Sequence, residues 1–270
     1  MDDCVILAGD ACHTHSSGAA QGMNTGVHDS VNLCWKLAGV VKGWLKPEIL
    51  STYDSERRPV AQDLIKQDKE ISNAITEGDR PGATWTEHPL TTFARQNAQF
   101  IVGLGIFYNQ SVLNVNANAG AVTSGHRPHD TLVYTPGSRV PTRLQKITPN
   151  IGAFWVIVFT GAIAYTKPRL QALRKYVDGF DSFTTKYKPG AIKVITIIDG
   201  QKGQGEEAMG MKTFGKFYYD NQSEVMAGIG FSIEEGGIVV LRPDGYLGFA
   251  TALDKGAEVD AYFSNILLPK

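Results

Sequence analysis

The sequence predicts an α/β chain in two blocks, on three observations. Cys4-Val5-Ile6-Leu7-Ala8 is a short apolar run closed by Gly9-Asp10, and apolar positions spaced three and four apart follow it. Residues 154–159, 168–177 and 192–198 read in turn as strand, helix and strand. Arg242-Pro243-Asp244-Gly245 stands between two apolar runs, as a turn does between the strands of a hairpin.

Taken in order, the opening run at residues 4–8 reads as a buried strand, which needs neighbours on both sides. A loop of small residues spans Ala11 to Gln21. Met23, Val27, Val31, Cys34, Ala38, Val41 and Leu45 then lie on one face of a helix. Pro47 suits the first turn of a second helix, where its missing N–H has no intrahelical partner. On that helix Tyr53, Val60, Leu64 and Ile71 share a face with Arg57. An arginine in an apolar stripe either has a carboxylate, carbonyl or phosphate partner or packs its stem and sends its head to water.

Residues 76–89 turn to Gly, Pro, Thr and charge and read as a surface connection, a helix resumes over 92–108, and 109–136 is loop-like. In the second block a helix starting at Pro168 links Phe154-Trp155-Val156-Ile157-Val158-Phe159 to the strand at 192–198, a βαβ unit with a right-handed crossover. Residues 238–241 and 246–250 form the hairpin around the Arg-Pro-Asp-Gly turn, and residues 253–268 close the domain as a helix.

Composition narrows the function. The 270 residues are 43% hydrophobic and 20% charged, enough for one or two cores. With 26 basic and 27 acidic residues the net charge is -1, which favours neither nucleic acid nor an anionic membrane and leaves a neutral organic ligand as the simpler expectation. Cys4, Cys12 and Cys34 are odd in number and form no CxxC, so neither a disulfide framework nor a zinc knuckle is indicated. No apolar run approaches the ~20 residues that span a bilayer, and Asp2-Asp3 stand where a signal peptide carries positive charge. A cytoplasmic protein is expected.

The segment from Ala8-Gly9-Asp10 through His13-Thr14-His15-Ser16 to Gly22-Met23-Asn24 resembles the second flavin-contacting motif of the para-hydroxybenzoate hydroxylase superfamily. Asn32-Leu33-Cys34-Trp35-Lys36-Leu37, Tyr53-Asp54-Ser55-Glu56-Arg57-Arg58-Pro59, Pro136-Gly137-Ser138-Arg139-Val140-Pro141 and the Arg-Pro-Asp-Gly-Tyr at 242–246 resemble its phenol hydroxylase branch, whose C-terminal domain is thioredoxin-like. The resemblance implies a remnant of the FAD-binding domain at 1–125 and a thioredoxin-like domain at 126–270, the latter linked to subunit contacts. It implies FAD contacts at Gly9, Asp10, Gly22, Met23 and Asn24. A helix N-terminus carries unsatisfied N–H donors and partial positive charge, suited to the electron-rich edge of a reduced flavin, and Gly22 lets backbone approach a flat ring.

Two departures from the pattern stand out. Ser17 occupies the place of the usual proline, and no Gly-x-Gly-x-x-Gly follows an N-terminal strand, so the pyrophosphate-binding unit is not seen. FAD binding by these residues alone is therefore expected to be weak or absent. The leading expectation is a truncated aromatic monooxygenase-like protein that is not a competent hydroxylase by itself, acting as a homodimer or with a partner chain. A second is a cofactor-free enzyme of aromatic or polyketide secondary metabolism, a cyclase, dehydratase or isomerase, with His13, His15 and Asp10 as acid–base groups. A third is a non-catalytic dimerisation module. Asp10, His13, His15 and His28 are metal-ligand types, but they fall in a loop that the flavin resemblance explains, and no metal is expected.

Overall fold

The computed structural model describes residues 5–16, 21–78, 89–138, 140–200 and 205–270. The chain divides into two compact units, one made of Met1–Cys34 with Leu50–Phe107 and the other of Trp35–Ile49 with Tyr108–Lys270. The fold class is α/β.

In the first unit α1 runs from Gly22 to Val41 and crosses the boundary between the units, α2 covers Ser51–Gly78, α3 Pro89–Gln96 and α4 Ala98–Ile101. Pro47 opens a 3-10 turn that leads into α2. Tyr53, Arg57, Val60, Leu64 and Ile71 all lie on the buried face of α2, as their spacing predicts. Two expectations are corrected. The run Val5-Ile6-Leu7-Ala8 forms no strand: no other described strand pairs with it, and Val5, Ile6 and Leu7 are exposed. The helix expected over 92–108 ends at Ile101, because Gly103 takes a positive φ of 74° that an L side chain resists. The connection expected over 76–89 lies mostly outside the described residues.

Burial on α1 does not follow hydropathy. Its apolar stripe is exposed, to 80% at both Met23 and Val41, whereas Thr25, Asp29, Asn32, Trp35 and Lys36 are buried. Periodicity identified the helix and its apolar stripe, although the helix ends at Val41, short of Leu45, which is buried. The polar face is buried because its groups are paired: Asn32 Nδ2 donates to Glu56 Oε2 at 2.8 Å, and Asp29 accepts from several donors. A buried polar group that is hydrogen-bonded escapes most of its desolvation cost.

The second unit holds one sheet. Its strands are β1 (Leu132–Tyr134), β2 (Pro141–Arg143), β3 (Phe154–Phe159), β4 (Ile192–Asp199), β5 (Lys216–Asp220), β6 (Gly237–Leu241) and β7 (Leu247–Thr251), in the order β2-β1-β5-β4-β3-β6-β7. β3 pairs parallel with β4 and β4 with β5, and β6 runs antiparallel to both β3 and β7. The helices are α5 (Leu144–Ile147), α6 (Ile163–Val177), α7 (Phe183–Lys186), α8 (Gly205–Met209), α9 (Glu224–Ile229) and α10 (Gly256–Ser264). Both the βαβ unit and the hairpin stand where the sequence places them. α6 starts earlier than Pro168: the chain turns at Gly161, φ 61°, and the helix follows at once, with Pro168 forfeiting a single backbone bond inside it. β1 falls in the stretch read as loop and β5 was not foreseen, since short or paired-aromatic segments such as Phe217-Tyr218-Tyr219 show no clear period of two.

Two cores flank the sheet, and β3 shows why. Phe154, Val156 and Val158 face the core that α6 and α10 cover through Leu170, Leu173, Val259 and Phe263, whereas Ile157 and Phe159 face the core covered by Val225, Met226 and Ile229 of α9. Successive strand residues point to opposite faces, so a strand buried on both sides reads as a continuous apolar run. At the β6–β7 turn, Gly245 has φ 81° and Arg242 is wholly buried. Its Nε and Nη2 donate to the two carboxylate oxygens of Asp244 at 3.0 and 2.7 Å, and Nη1 donates to Asn114 Oδ1 at 2.8 Å. Trp35 Nε1 donates to the same carboxylate at 3.1 Å.

Candidate functional site

The loop ahead of α1 carries the expected site residues. Gly9 opens a 3-10 turn, Gly9–Ala11, with φ 60°, the left-handed conformation that glycine adopts without strain. The turn crosses α1 where another glycine stands: a Cβ on Gly26 would lie 3.7 Å from Gly9 Cα. Asp10, the second residue of the turn, is exposed.

His13 and His15 diverge. The His13 side chain is only 3% exposed, and its Nε2 lies 2.8 Å from Asp29 Oδ2. Its Nδ1 is buried and has no hydrogen-bond partner among the described residues. His15 is half-buried, with Nδ1 2.8 Å from the Ser16 carbonyl oxygen. The two rings are 6.5 Å apart and inclined by 27°. A Cβ on Gly22 would come within 3.2 Å of His15 Cε1 and Nε2, so the flat ring that the Gly22 backbone approaches here is an imidazole. Met23 and Asn24 in the first turn of α1 are exposed.

Asp29, which sequence reading did not single out, is the centre of this arrangement. It lies one helical face away from the apolar stripe, and a lone acid on the polar side of a helix gives no signal by itself. Its Oδ2 accepts from the Gly9 N–H at 3.0 Å as well as meeting His13, and its Oδ1 accepts from Arg57 Nε at 2.6 Å. Of the two readings for Arg57 the structure bears out the paired one. Tyr53 Oη donates to the Leu7 carbonyl at 2.9 Å, and the Ser16 N–H donates to Asp68 Oδ2 at 2.8 Å, so α2 holds both flanks of the loop.

The electrostatics follow from these contacts. Burial pushes the Tyr53 hydroxyl up, with the Asp29 charge adding to it. Cys12 is also raised, first by burial and then by Asp29, against the pull of Arg57. Bonds from the Ser16 hydroxyl and N–H hold Asp68 below the usual carboxylate range. Cys12, His13 and Asp29 place one ligand-type atom each within 4.8 Å of one another. The carboxylate of this set is already shared by a guanidinium, a backbone N–H and the imidazole, which leaves little of it for a metal. His28 is not part of that set and stands instead beside the Gly103 backbone.

For a flavin the fit is divided. Asp10 and the first turn of α1 at Met23 and Asn24 face outward, as a ligand contact requires. The Gly9 N–H is already donated to Asp29, and the Gly22 backbone is covered by His15.

Two family profiles match the chain: an FAD binding domain over residues 1–68 and the phenol hydroxylase C-terminal dimerisation domain over residues 106–270. The 3-hydroxybenzoate 4-monooxygenase of Comamonas testosteroni is 30% identical over 298 residues, covering 97% of this chain and 46% of that protein. The pentachlorophenol 4-monooxygenase of Sphingobium chlorophenolicum is 27% identical over 93% of this chain and 43% of its own length. The chain thus spans less than half the length of either relative. Among solved structures, the ternary complex of aklavinone-11 hydroxylase with FAD and aklavinone superposes with a TM-score of 0.60 at 18% identity, covering 97% of this chain and 43% of that one, which supports the fold. No described helix is long and apolar enough to cross a membrane.

Proposed function

The chain belongs to the phenol hydroxylase-type family of FAD-dependent aromatic monooxygenases, and from this premise we propose that its 270 residues supply the second flavin-contacting loop and the dimerisation domain of such an enzyme without being a competent hydroxylase on their own. The observation that carries the reading is the loop at 9–16, held by α1 and α2 while Asp10 and the first turn of α1 remain outward. FAD, where bound, supplies the redox chemistry that protein side chains lack. Asp10, Met23 and Asn24 would contact it. The N–H groups of the first turn of α1 favour negative charge on the ligand edge beside them. His15 is the titratable side chain left half-open beside that turn, and His13 serves to hold the loop. By likeness to relatives named for hydroxybenzoate and chlorophenol, the substrate class is a small aromatic compound.

These residues alone are expected to bind FAD weakly or not at all, and to associate as a homodimer through 106–270. Gel filtration of the purified chain after incubation with FAD checks the first expectation, and flavin retained at one per chain would overturn it. Light scattering checks the second, and a monomer mass at every concentration would count against it. Conversion of a phenolic or polyketide-like compound by colourless, flavin-free protein would instead establish the cofactor-free reading, with His15→Ala the variant expected to lower that turnover by at least about tenfold.

A further inference from the structure

We propose that Asp29 is the positioning residue of the loop at 9–16, setting its shape and the tautomer of His13 before any ligand arrives. The proposal deepens the flavin reading, and its significance rests on that loop facing the ligand. One carboxylate, 1% exposed, meets three donors from three places: the N–H of Gly9 where the turn opens, Nε2 of His13 where it closes, and Nε of Arg57 on α2. Both ends of the turn are thereby tied to one atom, Oδ2, on α1. The Arg57 charge offsets the cost of burying the carboxylate.

The choice of side chain follows from donor counting. Asparagine presents one acceptor oxygen and an NH2 group, so in this place it sets a donor against a donor on one side. Glutamate carries an extra methylene into a site where even a Cβ added to Gly9 or Gly26 would reach van der Waals contact with the other's Cα. Because the carboxylate only accepts, His13 must present Nε2–H to it, and a neutral ring then carries its lone pair on Nδ1. Cys12 and His13 N–H groups donate to the Gly9 carbonyl at 2.9 and 3.3 Å, so the turn closed by Asp29 is also the one these amides report on.

Two measurements on the 15N-labelled chain test this. A long-range proton–nitrogen correlation of the histidine rings is expected to show His13 as the Nε2–H tautomer, a readout that simple helix packing does not control. Amide exchange in Asp29→Asn is expected to accelerate at Gly9 by at least about tenfold, the loss of one hydrogen bond to a charged group, while Val60 and Leu64 in α2 keep their rates. His13 found as the Nδ1–H tautomer, or Gly9 exchange unchanged in a folded variant, overturns the proposal. Should Asp29→Asn not fold, His13→Leu keeps the Asp29–Arg57 pair and frees only the far end of the turn. Exchange then rises at Cys12 and at position 13 with Gly9 unaltered, and uniform rates across the turn count against the clamp. An FAD titration of the same wild-type sample separates the two readings, since absence of flavin binding removes the flavin assignment and leaves the tautomer and exchange results standing.

Discussion

Each unit buries an arginine on an aspartate, and the two pairs do different things. Arg242 and Asp244 are two residues apart, meet through two parallel bonds, and sit where β6 turns into β7. Arg57 and Asp29 come from different helices, meet through Nε, and share the carboxylate with Gly9 and His13 of the loop. The first pair is satisfied within a turn whose geometry the sequence itself dictates, and its remaining donors and acceptors, Asn114 and Trp35, extend it into the core. The second divides one carboxylate between packing and a loop that faces outward. Charge burial therefore stabilises a fold corner in one unit and a candidate site in the other, and what distinguishes them is where the donors come from: Arg242 and Trp35 for Asp244, the loop residues Gly9 and His13 with Arg57 for Asp29.

Removing the guanidinium should separate the two most clearly. Arg242→Met takes both guanidinium bonds from the buried Asp244, and is expected to cost about 3–5 kcal/mol in denaturant unfolding. A loss under about 1 kcal/mol would mean the pair is no hub. Arg57→Met leaves Asp29 its bonds to Gly9 and His13, so the cost should be smaller, about 1.5–3 kcal/mol, followed by denaturant melting together with the exchange rate at Gly9. Equal costs for the two variants would remove the distinction drawn above.

The far flank of the loop gives a smaller, pH-dependent effect. Asp68 is held low by the Ser16 bonds, so its contribution is present above the ordinary carboxylate pKa and is lost as pH falls through its lowered value. A carboxyl titration by NMR is expected to find Asp68 below an ordinary aspartate, and Ser16→Ala to return it towards one. The smallest effect belongs to the apolar stripe of α1. Val27→Glu with Val31→Glu is expected to change stability by no more than about 0.5 kcal/mol, as at an exposed surface. A core stripe would instead lose about 2–5 kcal/mol, and a melt in that range would mean that the stripe is buried.

Much was legible before any coordinates. The βαβ unit and the Arg-Pro-Asp-Gly hairpin rest on patterns confined to a few neighbouring residues: continuous apolar runs for strands covered on both faces, and a turn whose glycine takes a positive φ. The residues Gly9, Asp10, Gly22, Met23 and Asn24 were singled out by resemblance alone, and where each points was not legible.

The sequence by itself determined the class of the fold, the family, the helix at α1 and the division of that helix into an apolar and a polar face. Only the tertiary structure decided which face is buried, that Arg57 is paired rather than reaching for water, and that Asp29 meets both Gly9 and His13 of a loop on which His13 is buried and His15 half-open. The physical reason is range. Periodicity and turn chemistry act over a few residues, whereas the cost of burying Asp29 is offset by donors 16, 20 and 28 positions away along the chain, and no local pattern encodes a partner at that distance.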